Sequence, residues 1–342
     1  MKKLGMVSLI CGLAMFCVLA AGSPARSEEK EFRFKYANFF PPVHKMAVLA
    51  DQWCKEVEKR TNGKVKITYL PGGTLVPANQ AYEAAVKGIS DISMVTQQYN
   101  AGRFPLTEAI YLPLGVKSAR QGTRMFNAWY EKFKPKEYDD VKILYFYTTS
   151  PGHFATLKPL PSINDLKGVK VRCAGDTAKI VTAMGGIPVS IPLADSYEGF
   201  QRGVIAGSLL PVESLKGWKF GDLLRGVQIN DGIGYTNAMG VVMNKAKWAA
   251  LPPEFQKAIE QVSKEWIEKT ALAWDDIDKE GIDFAVSKGA KVFKITKEEV
   301  ALSAQKMKPI LDDYVKSMKK LGLPGEESLK FLQDWLKANP NP

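Results

Sequence analysis

Histidine and cysteine are scarce in this chain: its 342 residues include 2 His and 4 Cys. Cys11 and Cys17 fall in an apolar N-terminal stretch, which leaves Cys54 and Cys173, with His44 and His153, for the body of the protein. Zinc-ligand spacing cannot be built from so few groups, and they offer no Ser-His-Asp arrangement. The patterns G-x-S-x-G, H-E-x-x-H and the P-loop are missing too. An exported enzyme is therefore the weaker reading, and no cofactor or metal is expected. The acidic pairs Asp275-Asp276 and Asp312-Asp313 read as solvated helix faces. Dense basic runs are also lacking. The net charge of +11 is spread over single lysines, which suits a solvated basic surface or an attractive field for an anionic solute rather than a nucleic-acid site. A disulfide would need an oxidising compartment, and Cys54 and Cys173 read as belonging to different lobes, so two buried thiols are expected.

The first residues set the compartment. Lys2 and Lys3 precede an apolar run, Leu4–Ala21, and Ala25-Arg26-Ser27 forms a small-residue cleavage pattern. This reads as a secretory signal peptide over 1–27, hence a periplasmic protein. An uncleaved anchor is the alternative, because the run is near the length of a membrane span.

The chain is organised around Ser162–Pro211, which reads strand, helix, strand, helix, strand. Val169 and Val171 alternate with Lys170 and Arg172, Asp176 and Thr177 open a helix, and Gly185-Gly186 close it. Ile187–Ile191 is the next strand, Leu193–Arg202 the next helix and Val204–Leu210 a third strand. Arg172 ends its strand just before a turn, and ligands of open α/β sheets bind at the carboxyl ends of strands. A guanidinium there can hold a carboxylate or sulfonate through two parallel hydrogen bonds. Position alone equally allows a surface arginine paired with Asp176.

Several motifs, taken in order, carry a resemblance. They are Pro41-x-x-His44, the run TNGKVKITYLPGGTL at Thr61–Leu75, GISDISMV at Gly88–Val95, DLKGVKVR at Asp165–Arg172 and GGIPVSIPLADSYEGFQRGVIAG from Gly185 to Gly207. Together they resemble the solute-binding proteins of tripartite ATP-independent periplasmic (TRAP) transporters, over nearly the whole mature chain. The resemblance implies an α/β, two-lobed periplasmic binding protein fold with a long helix spanning both lobes, and no enzymatic activity. It implies a small organic acid anion as ligand, gripped at the position of Arg172, and membrane permease subunits as partners. The expected layout is a first lobe of 28–147 and 237–275, and a second of 148–236 and 276–342 with the C-terminal helices. A monomer is expected.

The chain departs from the family pattern twice. The family commonly places a second arginine at about Gly152, with His153 beside it here; His153 either donates to the ligand or is a hinge residue. The family often has Gln-Glu-Asn-Pro where this chain has Ser208-Leu209-Leu210-Pro211, and often Phe where Leu193 stands. Leu210 in place of an amide makes that wall apolar and removes a partner for ligand hydroxyls. The departures favour a monocarboxylate with an apolar or aromatic body, or a very small acid. A small sulfonate or hydroxy acid is the alternative ligand, and a sensor reporting to a membrane receptor the alternative role. Phe39 and Phe40, after the first strand, either line the pocket or plug the lobe. Trp218 is either a stacking platform or core. Gln97, Tyr99, Ser196 and Tyr197 are candidate polar contacts, with loop capping as the other reading. Pro253–Ser287 reads as one helix of about 50 Å, which Gly281 could break.

Overall fold

The computed structural model describes residues 30–340; the expected signal peptide and its cleavage pattern lie outside them. Alternating burial makes the first strand, β1 (Phe32–Ala37). It leads through a loop to α1 (Lys45–Arg60), which buries Met46, Ala50, Trp53 and Val57 along one stripe, as period-3.6 spacing dictates. Then follow β2 (Val65–Leu70), α2 (Ala81–Val86), β3 (Ile92–Thr96), α3 (Ala119–Phe133) and β4 (Val141–Thr148). The aromatic stripe of α3 is core, with Phe126 and Trp129 fully buried.

The chain then crosses to a second sheet: β5 (Gly152–Thr156), β6 (Lys170–Cys173), α4 (Ala178–Ala183), β7 (Ile187–Ser190), α5 (Ser196–Gln201), β8 (Gly207–Pro211), α6 (Ser214–Gly217) and β9 (Gly226–Ile229). It returns as β10 (Ala238–Asn244), followed by α7 (Lys245–Ala249), α8 (Pro253–Ser287), β11 (Lys291–Lys294), α9 (Lys297–Lys320) and α10 (Gly325–Ala338). The first sheet has the order β2-β1-β3-β10-β4 and the second β11-β9-β5-β8-β6-β7. The late strand β10 pairs antiparallel with both β3 and β4. This two-sheet α/β architecture, whose chain passes between the sheets before β5, before β10 and again through α8 to β11, is the expected fold class.

Strand β5 was not expected, since that stretch reads only as a crossing. All five of its residues are buried, so it has no alternation for a sequence pattern to display. The crossings are tied to each other. Thr149 N donates to Asn237 O at 3.2 Å, Asn237 N donates to Thr149 Oγ1 at 3.0 Å and Gly152 N donates to Tyr235 O at 3.0 Å.

Helix α8 runs unbroken past both sheets. In its first half Trp266 Nε1 donates to Leu49 O at 2.9 Å, and in its second half Asp278 Oδ1 accepts from Glu213 N at 3.0 Å. Gly281 does not interrupt it. A Cβ there would stand 2.1 Å from Val212 O, so the glycine lets the helix lie against the chain that leaves β8. Helix α10 packs on α3, where Trp129 Nε1 donates to Ser328 Oγ at 2.7 Å. Cys54 and Cys173 are free, buried thiols. Among the described residues no helix is long and apolar enough to cross a membrane.

Candidate functional site

Strand β6 carries Arg172 into the interior, 4% exposed. Its Nε donates to Ile191 O at 2.9 Å and its Nη2 to the Tyr99 hydroxyl at 3.2 Å. Among the described residues no carboxylate pairs with it; Asp176 pairs with Lys179 instead, at 3.3 Å. Burying a charge without a counter-charge costs several kcal/mol. A guanidinium kept this way, with donors to spare, is therefore a group suited to receive an anion.

Tyr99 follows β3, on the first sheet, and reaches across to the second. Its oxygen accepts from Arg172 and also from Leu193 N at 3.1 Å. Both lone pairs are thus used, and its own proton is left to donate elsewhere. The turns close tightly here: a Cβ on Gly175 would stand 2.5 Å from Gln98 O, and Gly175 has φ +50°, so both space and backbone require glycine.

An aromatic wall continues from Tyr99. Phe39 lies 6.1 Å from Tyr99, 4.6 Å from Phe40 in a stacked pair and 6.0 Å from Trp218, also stacked. Trp218 is half-buried, and its Nε1 is a buried donor with no partner. The Ser208 hydroxyl is likewise buried and unpartnered, on the residue in register with Arg172. The structure thus brings Arg172, Tyr99, Leu193, Phe39, Phe40 and Trp218 into one contiguous cluster.

The profile described as "Bacterial extracellular solute-binding protein, family 7" matches residues 37–317. The chain belongs to this family. Solved structures of similar fold are TRAP solute-binding proteins. One from Desulfovibrio salexigens is 29% identical, with 91% of this chain and 98% of that chain covered and a TM-score of 0.79. One from Rhodoferax ferrireducens, in complex with copurified benzoate, is 26% identical over 90% and 98% of the chains, TM-score 0.86. One from Bordetella bronchiseptica, with bound mandelate, is 26% identical over 90% and 99%, TM-score 0.82. The protein is thus a TRAP solute-binding protein rather than an enzyme. Proteins of this kind are periplasmic and work with membrane permease subunits.

The other expected contacts of this TRAP solute-binding protein have packing and bonds of their own. Leu210 is fully buried in the apolar cluster of Leu193, Leu215 and Phe220, and Tyr197 packs on that cluster. Ser196 Oγ turns back to Pro192 O at 3.5 Å. Gln97 is buried beside the Tyr138 hydroxyl. His153 Nδ1 accepts from Asn230 N at 3.1 Å. Burial lowers its pKa to about 4, against a smaller opposing pull from Asp231. His153 is therefore neutral at ordinary pH and adds no second cation. It borders a separate cleft of about 400 Å³ with Lys117, Arg120, Ser150, Asp275 and Asp278. Asp275 is not a solvated helix face: its carboxylate accepts from Ala119 N at 2.7 Å and Arg120 N at 3.2 Å, holding the start of α3. Among the described residues no cluster of His, Cys, Asp and Glu could hold a metal ion.

Two features were missed at the level of sequence. The first is Tyr235, whose ring lies over Gly152; nothing in Gly-Tyr-Thr-Asn marks it. The second is a buried link between the sheets. Met46 N donates to His44 Nδ1 at 3.1 Å, so the His44 Nε2 proton goes to Glu213 Oε2 at 2.9 Å. Glu213 Oε1 accepts from Ser214 Oγ at 2.6 Å. The Pro41-x-x-His44 motif was the available signal for this link, but its partner lies 169 residues away.

Proposed function

We propose that this chain captures a small organic monoanion with an apolar or aromatic body and delivers it to a TRAP permease. One observation carries the proposal: Arg172 is buried with no carboxylate partner among the described residues, at the end of a wall made by Tyr99, Phe39 and Trp218. The ligand carboxylate meets Arg172 in a bidentate pair, and the apolar body lies along the aromatic wall. The benzoate and mandelate held by the relatives from Rhodoferax and Bordetella support this ligand class.

Binding works by closure of the two lobes. Tyr99 and His44 come from the first sheet's side and Arg172, Leu193 and Glu213 from the second's, so these bonds hold the closed form. The paired crossings at 149–152 and 235–237 are the hinge. Closure excludes water, which strengthens the Arg172–carboxylate pair. The protein is exported with cleavage near Ser27 and acts as a monomer.

Native mass spectra of the purified mature protein, before and after mild denaturation, test the proposal by naming any copurified anion. A thermal-shift panel of aromatic, aliphatic and sulfonic acids follows, in which a saturating ligand adds about 2–4 kcal/mol of stability. Arg172→Ala should weaken binding of the best acid by about 2–5 kcal/mol, roughly 30- to 5000-fold, with the fold intact by circular dichroism. Near-normal affinity in that variant would refute the anchor.

A further inference from the structure

The hinge of the protein brings two residues unusually close. Gly152 N donates to Tyr235 O at 3.0 Å, and the Tyr235 side chain folds back over Gly152. A Cβ on Gly152 would stand 2.1 Å from Tyr235 Cε1 and 2.4 Å from both Cζ and Oη. Real side chains do not approach so closely, so the phenol fills the volume into which any side chain at 152 would have to grow. Tyr235 is 1% exposed. Its hydroxyl lies close enough to Arg172 and Tyr99 to feel both: burial pushes its pKa well up, and the Arg172 charge pulls it partly back.

The side chains bonded to the 235–237 turn carry no charge, whereas the charged and titratable groups of this crossing, Lys117, Arg120, Asp231 and Asp278, line the cleft of about 400 Å³ bordered by Ser150 and His153. Gln98 Nε2 donates to Asn237 Oδ1 at 3.1 Å, and Asn237 Nδ2 donates to Thr149 Oγ1 at 3.3 Å. His153, next to Gly152, is turned to Asn230 N. Beside the Gln98–Tyr99 turn there is therefore a bulky neutral ring and a set of already paired amides. A second carboxylate on a ligand would have to lose its water against that wall with none of these groups charged to meet it, at a cost of several kcal/mol.

We infer that Tyr235 is a specificity-determining residue of the ligand site: by filling the space over Gly152 it restricts the site to anions with one charged group, held at Arg172. The inference rests on the monoanion reading above and adds the residue that enforces it.

The test compares benzoate with isophthalate, the same ring carrying a second carboxylate, by titration calorimetry on the mature full chain. Circular dichroism and thermal melting confirm that each variant is folded. Wild type should prefer benzoate by at least 100-fold. Tyr235→Phe keeps the ring volume and should keep the preference within threefold. Tyr235→Ala opens room for a hydrated second carboxylate and should reduce the preference at least tenfold. Gly152→Arg combined with Tyr235→Ala supplies both room and charge, and should bind isophthalate at least tenfold more tightly than wild type. Gly152→Arg alone drives its side chain into Tyr235 and should lose both acids. An unchanged preference in folded Tyr235→Ala overturns this inference while leaving the Arg172 reading in place, and so does isophthalate binding in Gly152→Arg alone. A wild type that binds neither acid overturns the monoanion reading itself.

Discussion

Asp278 should make this protein lose stability as pH rises through the neutral range. The carboxyl group sits on α8 where the helix passes Glu213, and its Oδ1 accepts from Glu213 N at 3.0 Å. Burial pushes its pKa up from 3.8 to about 8; the Glu213 N–H opposes that rise, and the Glu213 carboxylate adds to it. An acid whose folded pKa lies above its unfolded one is protonated in the native state and ionised in the unfolded chain over the interval between. Native protein then binds more protons, so stability falls as pH climbs from about 4 to about 8. At 1.36 kcal/mol per unit, the interval from 3.8 to 7 sets a ceiling of about 4 kcal/mol at neutral pH. Asp278 also borders the cleft of about 400 Å³, so water reaches it and softens the penalty; a loss of about 1–3 kcal/mol is the working figure. Asp278→Asn keeps an oxygen acceptor for Glu213 N and cannot ionise. It should therefore be more stable than wild type at pH 7.5 by that amount and no more stable at pH 4. Burial also raises Glu108 to about 8, with the Asp176 charge adding to the rise, so wild type keeps a slope from that group. The difference between Asp278→Asn and wild type, measured by urea unfolding at pH 4, 6 and 7.5, isolates Asp278. A difference that does not grow with pH, or an Asn variant less stable at pH 7.5, would refute the reasoning.

Two more perturbations test the links that join the sheets. His44→Ala removes the donor to the buried Glu213 carboxylate, leaving it Ser214. It should cost about 1.5–3 kcal/mol in urea unfolding, and it should speed ligand release because the link holds the closed form. Unchanged stability and release would place the link outside the closing machinery. Gly281→Ala places a methyl 2.1 Å from Val212 O on a backbone that cannot yield cheaply, and should cost about 1–3 kcal/mol despite alanine's better helix propensity. A gain in stability would mean that α8 is free to shift there.

Long amphipathic elements were legible in the sequence almost to the residue. The 35-residue α8 emerges with the expected bounds, Pro253–Ser287, because period-3.6 burial is a local pattern. Short elements were less legible. Helix α6 is a single turn, Ser214–Gly217, and Lys219 beyond it takes a left-handed φ of 59°, which no sequence pattern marks. Strand β5 has no pattern to display, since it is buried on both faces. In the site, Arg172 stood out through the DLKGVKVR motif, while its position alone left it open between an anion anchor and a surface ion pair. Its neighbours Tyr99, Phe39 and Trp218 could be named from the sequence, while their purpose stayed open between ligand contact and packing.

By itself the sequence determined the family, the α/β class and the lone arginine at a strand's end, because these reside in ordered motifs and in periodicities of a few residues. Only the tertiary structure decided the surroundings of that arginine. It buried Arg172 without a carboxylate, turned His153 away as a neutral acceptor, joined His44 to Glu213 and laid Tyr235 over Gly152. These pairings span up to 169 residues and depend on how two sheets and their crossings meet. No local pattern encodes such a meeting; it follows from the close packing of the whole chain.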